Sequence, residues 1–249
     1  MKAIGVIGYH HTGKTTLVCA LISELQARGY KVMSIKDIHS EAYHADTEGK
    51  NTALHAKAGS EAVFAKGLHD SALLFPRSLD LREMVSYLKA DYLIIEGLKD
   101  APVPKIVCAA STEQLDELID GTTIGISGII SDNLAEYRGL PVYCLQKNLS
   151  SLVQDVLDKS FNILPISDPE CCSACGKTCY AMAEAIVQGT AIRSDCLLDS
   201  SPDFTLSVSG EEVVIVPFVQ KIFSDVVTSL VDNLKGIDPH GDISLRIKR

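Results

Sequence analysis

The sequence predicts an α/β protein in which a mostly parallel sheet is flanked by helices and followed by two smaller units. Apolar runs alternate with helical patterns along residues 1–160, which is typical of a parallel sheet. A glycine-rich loop follows the first apolar run, and five of the eight cysteines crowd into residues 171–196. We therefore predict a first domain at 1–160, a small cysteine-rich module at 165–203 and a C-terminal α+β segment at 204–249.

The elements of the first domain follow from periodicity. Six apolar runs have the length and composition of buried strands: Ala3–Ile7, Lys31–Ile35, Tyr92–Ile95, Lys105–Ala109, Ile124–Ile130 and Val142–Leu145. Helical spacing of apolar residues is clearest in Lys14–Arg28 and Leu149–Lys159, and Arg77–Lys89 is predicted as another helix. A polar, histidine-rich stretch at 37–51 interrupts the alternation, and its length indicates a functional or mobile loop.

The second part of the chain begins after two prolines, Pro165 and Pro169, which mark a domain boundary. The patterns beyond them predict these elements: a helix at Tyr180–Gln188, a hairpin of Phe204–Val208 with Glu212–Val216, a helix at Phe218–Leu234 and a strand at Ile243–Ile247. The Phe218–Leu234 helix carries a wide apolar stripe, which we expect to pack on the hairpin. Binding of a partner is the alternative use of that stripe.

Composition and charge exclude several classes of protein. The formal net charge is −9, so the surface should repel nucleic-acid backbones. The N-terminal apolar run is too short for a signal sequence or a membrane span, so we expect a cytoplasmic protein that binds neither nucleic acid nor membrane. Three cysteines stand alone in apolar segments, and we expect them to be buried thiols: Cys19, Cys108 and Cys144.

Residues Gly8–Thr15 match the phosphate-binding P-loop pattern G-x-x-x-x-G-K-[ST] without a mismatch. A strand leads into the loop and a helix begins at its lysine, so backbone amides should face a bound phosphate. Lys14 would pair with the β- and γ-phosphates, and the Thr15 hydroxyl would ligate Mg²⁺. The alternative is a glycine-rich turn with an exposed lysine. The predicted nucleotide-binding residues of this P-loop NTPase domain are Gly8, His10, His11, Thr12, Gly13, Lys14, Thr15 and Thr16.

A second acidic residue should complete the Mg²⁺ shell at the end of a neighbouring strand. Glu96 ends the apolar run that begins at Tyr92, and Asp37 follows the second predicted strand. Either carboxylate fits this role, and Glu96 would otherwise be a solvated carboxylate at a strand end.

Several short stretches have a characteristic order: Gly8–Thr16; Ile35–His39 followed by Asp46 and Gly49–Thr52; Ala58–Ser60; and Ile95–Lys99 with Pro104 and Lys105. Together they resemble the family of molybdopterin-guanine dinucleotide biosynthesis protein B. The resemblance covers the first 145 residues or so and ends before the cysteine cluster. The short form of the family lacks the C-terminal region, so this chain looks like an extended form.

The resemblance implies a GTP-binding, slowly hydrolysing protein that assists the guanylyltransferase attaching GMP to molybdopterin, commonly as a homodimer. Asp37 stands where the family tends to carry histidine. No Asn-Lys-x-Asp element follows the fifth apolar run, so GTP rests on the resemblance and ATP remains an alternative. A site for the pterin, its phosphate or molybdate could be lined by four further residues: His39, His44, His55 and Asp46.

The cysteine module supplies three closely spaced thiols and a fourth after a predicted helix: Cys172, Cys175, Cys179 and Cys196. Four converging thiolates suit a [4Fe-4S] cluster or zinc. Because three thiols come from one loop and helix start, the spacing favours iron over zinc. The stretch resembles small four-cysteine [4Fe-4S] domains, although its second gap is slightly shorter. Cys171 is an alternative ligand, and a redox-active disulfide is an alternative use.

These patterns support one main hypothesis, a GTP-binding accessory protein of molybdenum or tungsten cofactor maturation with an appended iron-sulfur module. No arginine finger or water-positioning residue is identifiable, so the chain would be at most a slow GTPase. The alternative is an iron-sulfur electron-transfer or metal-insertion adaptor that uses nucleotide as a switch.

Overall fold

A computed structural model describes residues 1–167, 172, 175–198, 206–208, 211–213, 215, 217–234, 243 and 245. Its strands are β1 (Lys2–Gly8), β2 (Val32–Lys36), β3 (Val63–Lys66), β4 (Ser71–Leu74), β5 (Tyr92–Glu96), β6 (Lys105–Cys108), β7 (Thr123–Ser127), β8 (Glu136–Tyr137), β9 (Leu140–Pro141), β10 (Phe161–Asn162), β11 (Leu206–Val208) and β12 (Glu211–Val213). Its helices are α1 (Lys14–Ala27), α2 (Asn51–Lys57), α3 (Leu81–Ser86), α4 (Thr112–Leu118), α5 (Leu145–Lys159), α6 (Cys179–Val187) and α7 (Pro217–Val231).

The central sheet has six strands, and five of them run parallel in the order β2-β5-β1-β6-β7. The sixth, β10, lies antiparallel to the first residues of β1, pairing Lys2 with Asn162. There is room for it there because β6 pairs with β1 only from Gly5 onward. The carboxyl ends of β1, β2 and β5 meet at one edge of the sheet, and β10 brings the chain back to the opposite edge.

Helices cover both faces of this sheet, which confirms the predicted α/β fold with a mostly parallel sheet. On one face, Ile4 and Val6 of β1 pack against α1 and α5. On the other face, Ala3 and Ile7 pack in clusters that include residues of α3 and α4. Strands buried on both sides require continuous apolar runs, and for this reason the sequence pattern located β1, β5 and β6 well.

Two of the predicted strands are wrong in part. The run Ile124–Ile130 ends as a strand at Ser127, and residues 129–132 form a 3₁₀ turn after Gly128, whose φ is +92°. The run Val142–Leu145 is not a strand: a single parallel bridge joins Val142 to Ile126, and α5 then begins at Leu145. Periodicity cannot separate a short buried strand from a buried helix start.

The predicted helices differ mainly in their bounds. The helix expected at Arg77–Lys89 is shorter, because Asp80 and Glu83 form a capping box that starts α3 at Leu81. The prediction Leu149–Lys159 began at the kink in α5, where Asn148 leaves helical geometry. Cys19 was expected to be buried and is exposed on the outer face of α1, whereas Cys108 and Cys144 are buried as expected. The sequence patterns missed three elements between residues 51 and 74: α2, β3 and β4.

The C-terminal hairpin and helix overlap the predicted ranges, with β11 paired to β12 and followed by α7; β12 and α7 each begin one residue earlier than predicted. The apolar stripe of α7 is largely exposed, and Val226 and Leu230 are 54% and 67% exposed. The expected burial of the stripe on the hairpin is therefore not observed among the residues described. Of the predicted strand Ile243–Ile247, the structure describes residues 243 and 245 alone. Within the described part of the chain, no helix combines the length and apolar character needed to cross a bilayer.

Candidate functional site

The P-loop connects the end of β1 to the first turn of α1. Gly8 has a φ of +156°, and a Cβ atom there would lie 2.2 Å from the carbonyl oxygen of Cys108 on β6. Gly13 has a φ of +95° immediately before Lys14. Both positions require glycine, one for steric clearance and the other for a left-handed backbone.

Two side chains of the loop bond to its own backbone. The Lys14 ammonium donates to the carbonyl oxygen of Tyr9 at 2.6 Å, and the Thr12 hydroxyl donates to the same oxygen at 2.9 Å. Gly13 gives the start of α1 no side-chain cap, so the free amides of its first turn are available to an anion. The remaining predicted nucleotide-binding side chains are exposed: His10, His11 and Thr16.

A hydroxyl, a carboxylate and an ammonium meet beside the P-loop. The Thr15 hydroxyl donates to Glu96 Oε1 at 2.8 Å, so two of the predicted Mg²⁺ ligands are in contact. Lys36 Nζ lies 2.9 Å from the same carboxylate oxygen and 3.3 Å from Thr15 Oγ1. Glu96 is only 6% exposed. The Lys36 cation therefore compensates a buried carboxylate beside the hydroxyl with which a P-loop ligates Mg²⁺.

Asp37, the other candidate Mg²⁺ ligand, has a different set of contacts. Its backbone amide donates to the Glu96 carbonyl at 2.8 Å, while its carboxylate lies 2.8 Å from His39 Nε2. Gly97 allows this close approach, since a Cβ there would lie 3.3 Å from Asp37 Cβ. The geometry thus joins Glu96, and not Asp37, to Thr15.

The histidine-rich loop borders an open cleft of about 890 Å³ next to Lys36 and Asp37. His44 and Asp46 line the cleft, together with apolar residues of β4 and α3. The Asp46 carboxylate accepts hydrogen bonds from the Thr47 amide and the Thr52 hydroxyl, so it also holds the start of α2. Two of the four residues proposed to line a pterin site are absent from the described lining: His39 and His55.

The cysteines of the module surround the start of α6. Cys179 is the first residue of this helix, and the Thr178 hydroxyl caps it by accepting from the Ala181 amide. Cys196 is buried in a small apolar cluster, against which Cys175 and Cys179 pack. The structure therefore brings three of the four predicted cysteine ligands into one cluster.

Burial raises the pKa of the Cys179 thiol, and the neighbouring thiols of Cys196 and Cys172 raise it further, against backbone hydrogen bonds from Ser167 and Ile166. Among the described residues, no group of three or more Cys, His, Asp or Glu side chains is positioned to hold a metal ion. Cys171, the alternative ligand, lies outside the described residues.

One buried polar network was missed by the sequence analysis. Lys105, the first residue of β6, has a fully buried side chain whose Nζ donates to the Tyr180 hydroxyl at 2.8 Å. The Tyr180 hydroxyl donates in turn to Asp120 Oδ2 at 2.6 Å. Burial lowers the pKa of Lys105. Burial by itself would raise the pKa of Asp120, but hydrogen bonds from Thr122 and Tyr180 together with the charge of Lys105 lower it overall. The available signal was a lysine at the start of an apolar run, but its partners are distant in sequence.

Comparison with known proteins identifies the family. Residues 3–132 match the family described as molybdopterin guanine dinucleotide synthesis protein B. The chain belongs to this family. A Bacillus subtilis protein, provisionally named a molybdopterin-guanine dinucleotide biosynthesis adapter protein, is 31% identical over 144 residues, which are 56% of this chain and 83% of that protein.

Two further comparisons differ in how much of this chain they cover. The crystal structure of Bacillus subtilis MobB has 28% identity and a TM-score of 0.53, covering 64% of this chain and 97% of that one. A Methanocaldococcus jannaschii protein, provisionally named an adapter of the same pathway, is 28% identical over 99% of this chain and 97% of its own length. The alignment with the Methanocaldococcus jannaschii protein spans nearly the whole chain, so it includes the C-terminal region.

Proposed function

We propose that this MobB family member binds Mg²⁺·GTP at its P-loop and acts as an adapter for the guanylyltransferase that attaches GMP to molybdopterin. The pathway in this proposal is inferred from membership of the family. The observation that carries nucleotide binding is the contact between Thr15 and Glu96 beside a loop whose glycines cannot be replaced without strain.

Each residue has a distinct role in this proposal. Loop amides and Lys14 would hold the β- and γ-phosphates, so Lys14 would leave the Tyr9 carbonyl when nucleotide binds. Thr15 and Glu96 would hold the Mg²⁺ shell, and bound Mg²⁺ would neutralise phosphate charge. Lys36 would withdraw from Glu96, because a divalent cation would repel its ammonium.

We infer that the protein works by binding, with slow hydrolysis. Described contacts of Lys14, Thr15 and Glu96 include no arginine, and a P-loop without an arginine finger stabilises the transition state poorly. GTP is proposed from the family, so a direct comparison with ATP is required.

Calorimetric titration of the full chain with Mg²⁺·GTP and Mg²⁺·ATP tests the nucleotide site. We expect tighter binding of GTP, and loss of measurable binding in Lys14→Ala. Lys89→Ala removes an exposed lysine after α3 and is the matched control, which should bind as the unmodified chain does. Equal binding by Lys14→Ala would refute the P-loop assignment.

A reconstituted reaction tests the adapter role. Adding the chain to molybdopterin, Mg²⁺·GTP and a molybdopterin guanylyltransferase should increase formation of the guanine dinucleotide, and Lys14→Ala should not. If the unmodified chain binds GTP but leaves the reaction unchanged, the adapter role is wrong while the nucleotide site stands.

An exposed apolar hairpin supports a homodimer. Phe64 on β3 is 72% exposed and Leu73 on β4 is 40% exposed, while Leu68 between the strands is 98% exposed. Apolar surface of this kind commonly marks a protein interface. Sedimentation equilibrium should give twice the chain mass, and Phe64→Lys should shift the equilibrium toward the monomer.

We propose a [4Fe-4S] cluster for the cysteine module, with zinc as the alternative. Cys175, Cys179 and Cys196 pack in one cluster, which supports this proposal. Cys172 also lies near enough to contribute to the raised pKa of the Cys179 thiol. The thiols fit iron or zinc in kind, but the described side chains are not preassembled around a metal position. Binding would therefore draw the four cysteines closer together.

Anaerobic purification followed by iron, zinc and sulfide analysis tests the module. About four irons and four sulfides per chain, lost in Cys175→Ala, would support the cluster. One zinc without sulfide would replace it by a structural metal. If removal of the four cysteines abolishes function while GTP affinity survives, the iron-sulfur adaptor becomes the better description.

A further inference from the structure

The polar network of the buried Lys105 with the half-buried Asp120 and Tyr180, here called the joint, lies where the cysteine module meets the sheet. Lys105 Nζ is 2.8 Å from the Tyr180 hydroxyl and 3.8 Å from Asp120 Oδ2, and it lies 4.3 Å from the centroid of the Tyr180 ring. Two of the three residues belong to the nucleotide domain, and Tyr180 belongs to α6. A fully buried ammonium is tolerated only with such partners, so these positions depend on one another.

A second contact holds the same helix. A Cβ atom on Gly121, next to Asp120, would lie 2.6 Å from Gln188 Nε2 and 2.9 Å from Glu184 Oε1. The turn before β7 therefore fits closely against one side of α6. With Tyr180 near the helix start and Gln188 directly after it, the contacts extend along the whole helix.

One end of the joint leads to the thiols. Tyr180 directly follows Cys179 in the first turn of α6. Met182 and Ala183, one turn further on, pack in the apolar cluster that contains Cys196. A shift of α6 would therefore move Cys179 relative to Cys196.

The other end of the joint leads to the P-loop. Lys105 begins β6, and the register of β6 with β1 runs from Gly5–Lys105 to Gly8–Cys108. The Lys105 side chain also packs closely against β1, because a Cβ atom on Gly5 would lie 3.0 Å from Lys105 Cγ. At the far end of the same strand, the Cys108 carbonyl leaves space only for glycine at position 8. Four residues of strand, about 10 Å, thus separate the joint from the P-loop.

The geometry points to the joint as an energetic link between nucleotide binding at the P-loop and the conformation of the cysteine module. This inference rests on the proposed nucleotide binding. Lys105 and Tyr180 are positioning residues: neither touches phosphate or metal, and each acts through the strand or helix that it holds. Because linkage is reciprocal, a ligand that orders one site would change the affinity of the other.

Hydrogen exchange of the full chain, measured with and without Mg²⁺·GTP, tests the link. In the unmodified chain, nucleotide should slow amide exchange in α6 by about fivefold or more. Tyr180→Phe removes the bridging hydroxyl but keeps the ring, and the effect of nucleotide on α6 should fall below about twofold. A merely structural role would change exchange equally with and without nucleotide.

Tyr137→Phe is the matched control, because Tyr137 donates to Asp116 at 2.7 Å in a similar Tyr–Asp pair on the exposed surface. It should keep the full response. Asp120→Asn, which preserves side-chain shape, is the second variant if Tyr180→Phe fails to fold, and it should lose the response in the same way.

Calorimetry on the same samples separates the possible failures. If GTP binds and α6 does not respond in the unmodified chain, or if Tyr180→Phe and Asp120→Asn respond fully, the link is refuted and the nucleotide site stands. If no nucleotide binds, both proposals fall.

Discussion

The two ends of the central sheet each hold a lysine paired with a carboxylate, and the two lysines differ in their exposure to water. At the carboxyl end, Lys36 pairs with Glu96, and the lysine side chain is 53% exposed. At the amino end, the Lys105 side chain is fully buried, while its partner Asp120 is 33% exposed. Water therefore reaches the ammonium of Lys36 but not that of Lys105.

This difference separates ligand exchange from structural support. Lys36 is half exposed, so it can leave Glu96 when a metal ion arrives to compensate that buried carboxylate in its place. Lys105 cannot lose its partners without becoming an uncompensated buried charge. We therefore expect substitution of Lys36 to change ligand binding and substitution of Lys105 to change stability.

The largest expected effect is that of Lys105→Ala. It removes a buried cation, leaves Asp120 with less compensation and opens a cavity, so the free energy of unfolding should fall by about 3–5 kcal/mol. Lys36→Ala should lower it by less, about 1 kcal/mol, because Lys36 is half exposed and Glu96 keeps the Thr15 hydroxyl as a partner. Urea denaturation measures both losses, and equal values would show that the buried and the half-exposed lysine contribute alike to stability.

Gly8→Ala should follow in size. A new Cβ would lie 2.2 Å from a backbone carbonyl, so we expect a loss of about 3 kcal/mol and disruption of the P-loop. Gly29→Ala tests backbone conformation alone, because its φ is +87° and nothing lies within 4 Å of the added atom. It should cost about 1 kcal/mol. Similar midpoints in thermal denaturation for the two variants would show that the P-loop relaxes around the added methyl group.

Lys36→Met should have a smaller effect, which concerns the Mg²⁺ requirement of GTP binding more than the stability of the fold. If Lys36 competes with Mg²⁺ for Glu96, its removal should lower the Mg²⁺ concentration needed for half-maximal GTP binding by up to about fivefold. Titration with Mg²⁺ at fixed GTP measures this change. A higher Mg²⁺ requirement would indicate that Lys36 instead contributes to phosphate binding.

The smallest effect concerns pH. The pKa of Asp120 lies below its usual value of 3.8, since hydrogen bonds and Lys105 stabilise the carboxylate against burial. Its contribution to stability is therefore present above about pH 4 and is lost as the pH falls through the folded-state pKa. The difference in unfolding free energy between the unmodified chain and Asp120→Asn should shrink below pH 4. A constant difference between pH 6 and pH 3 would contradict this.

Local sequence patterns predicted the parts of the fold that depend on local rules. The P-loop was recognisable because glycine at positions 8 and 13 and lysine at 14 follow from backbone geometry and phosphate chemistry. Strands buried on both faces leave continuous apolar runs. The hairpin of β3 and β4 was not predicted, because its strands are short and largely exposed and therefore lack such a run.

The amino-acid sequence alone was enough to predict the α/β class, the P-loop and the candidate thiol ligands, since each depends on local patterns along the chain. Only the tertiary structure joined Thr15 to Glu96 and gave Asp37 a histidine partner. It alone enclosed Lys105 between Asp120 and Tyr180. These contacts link segments far apart in sequence, and their geometry depends on strand order and helix packing, which periodicity does not encode.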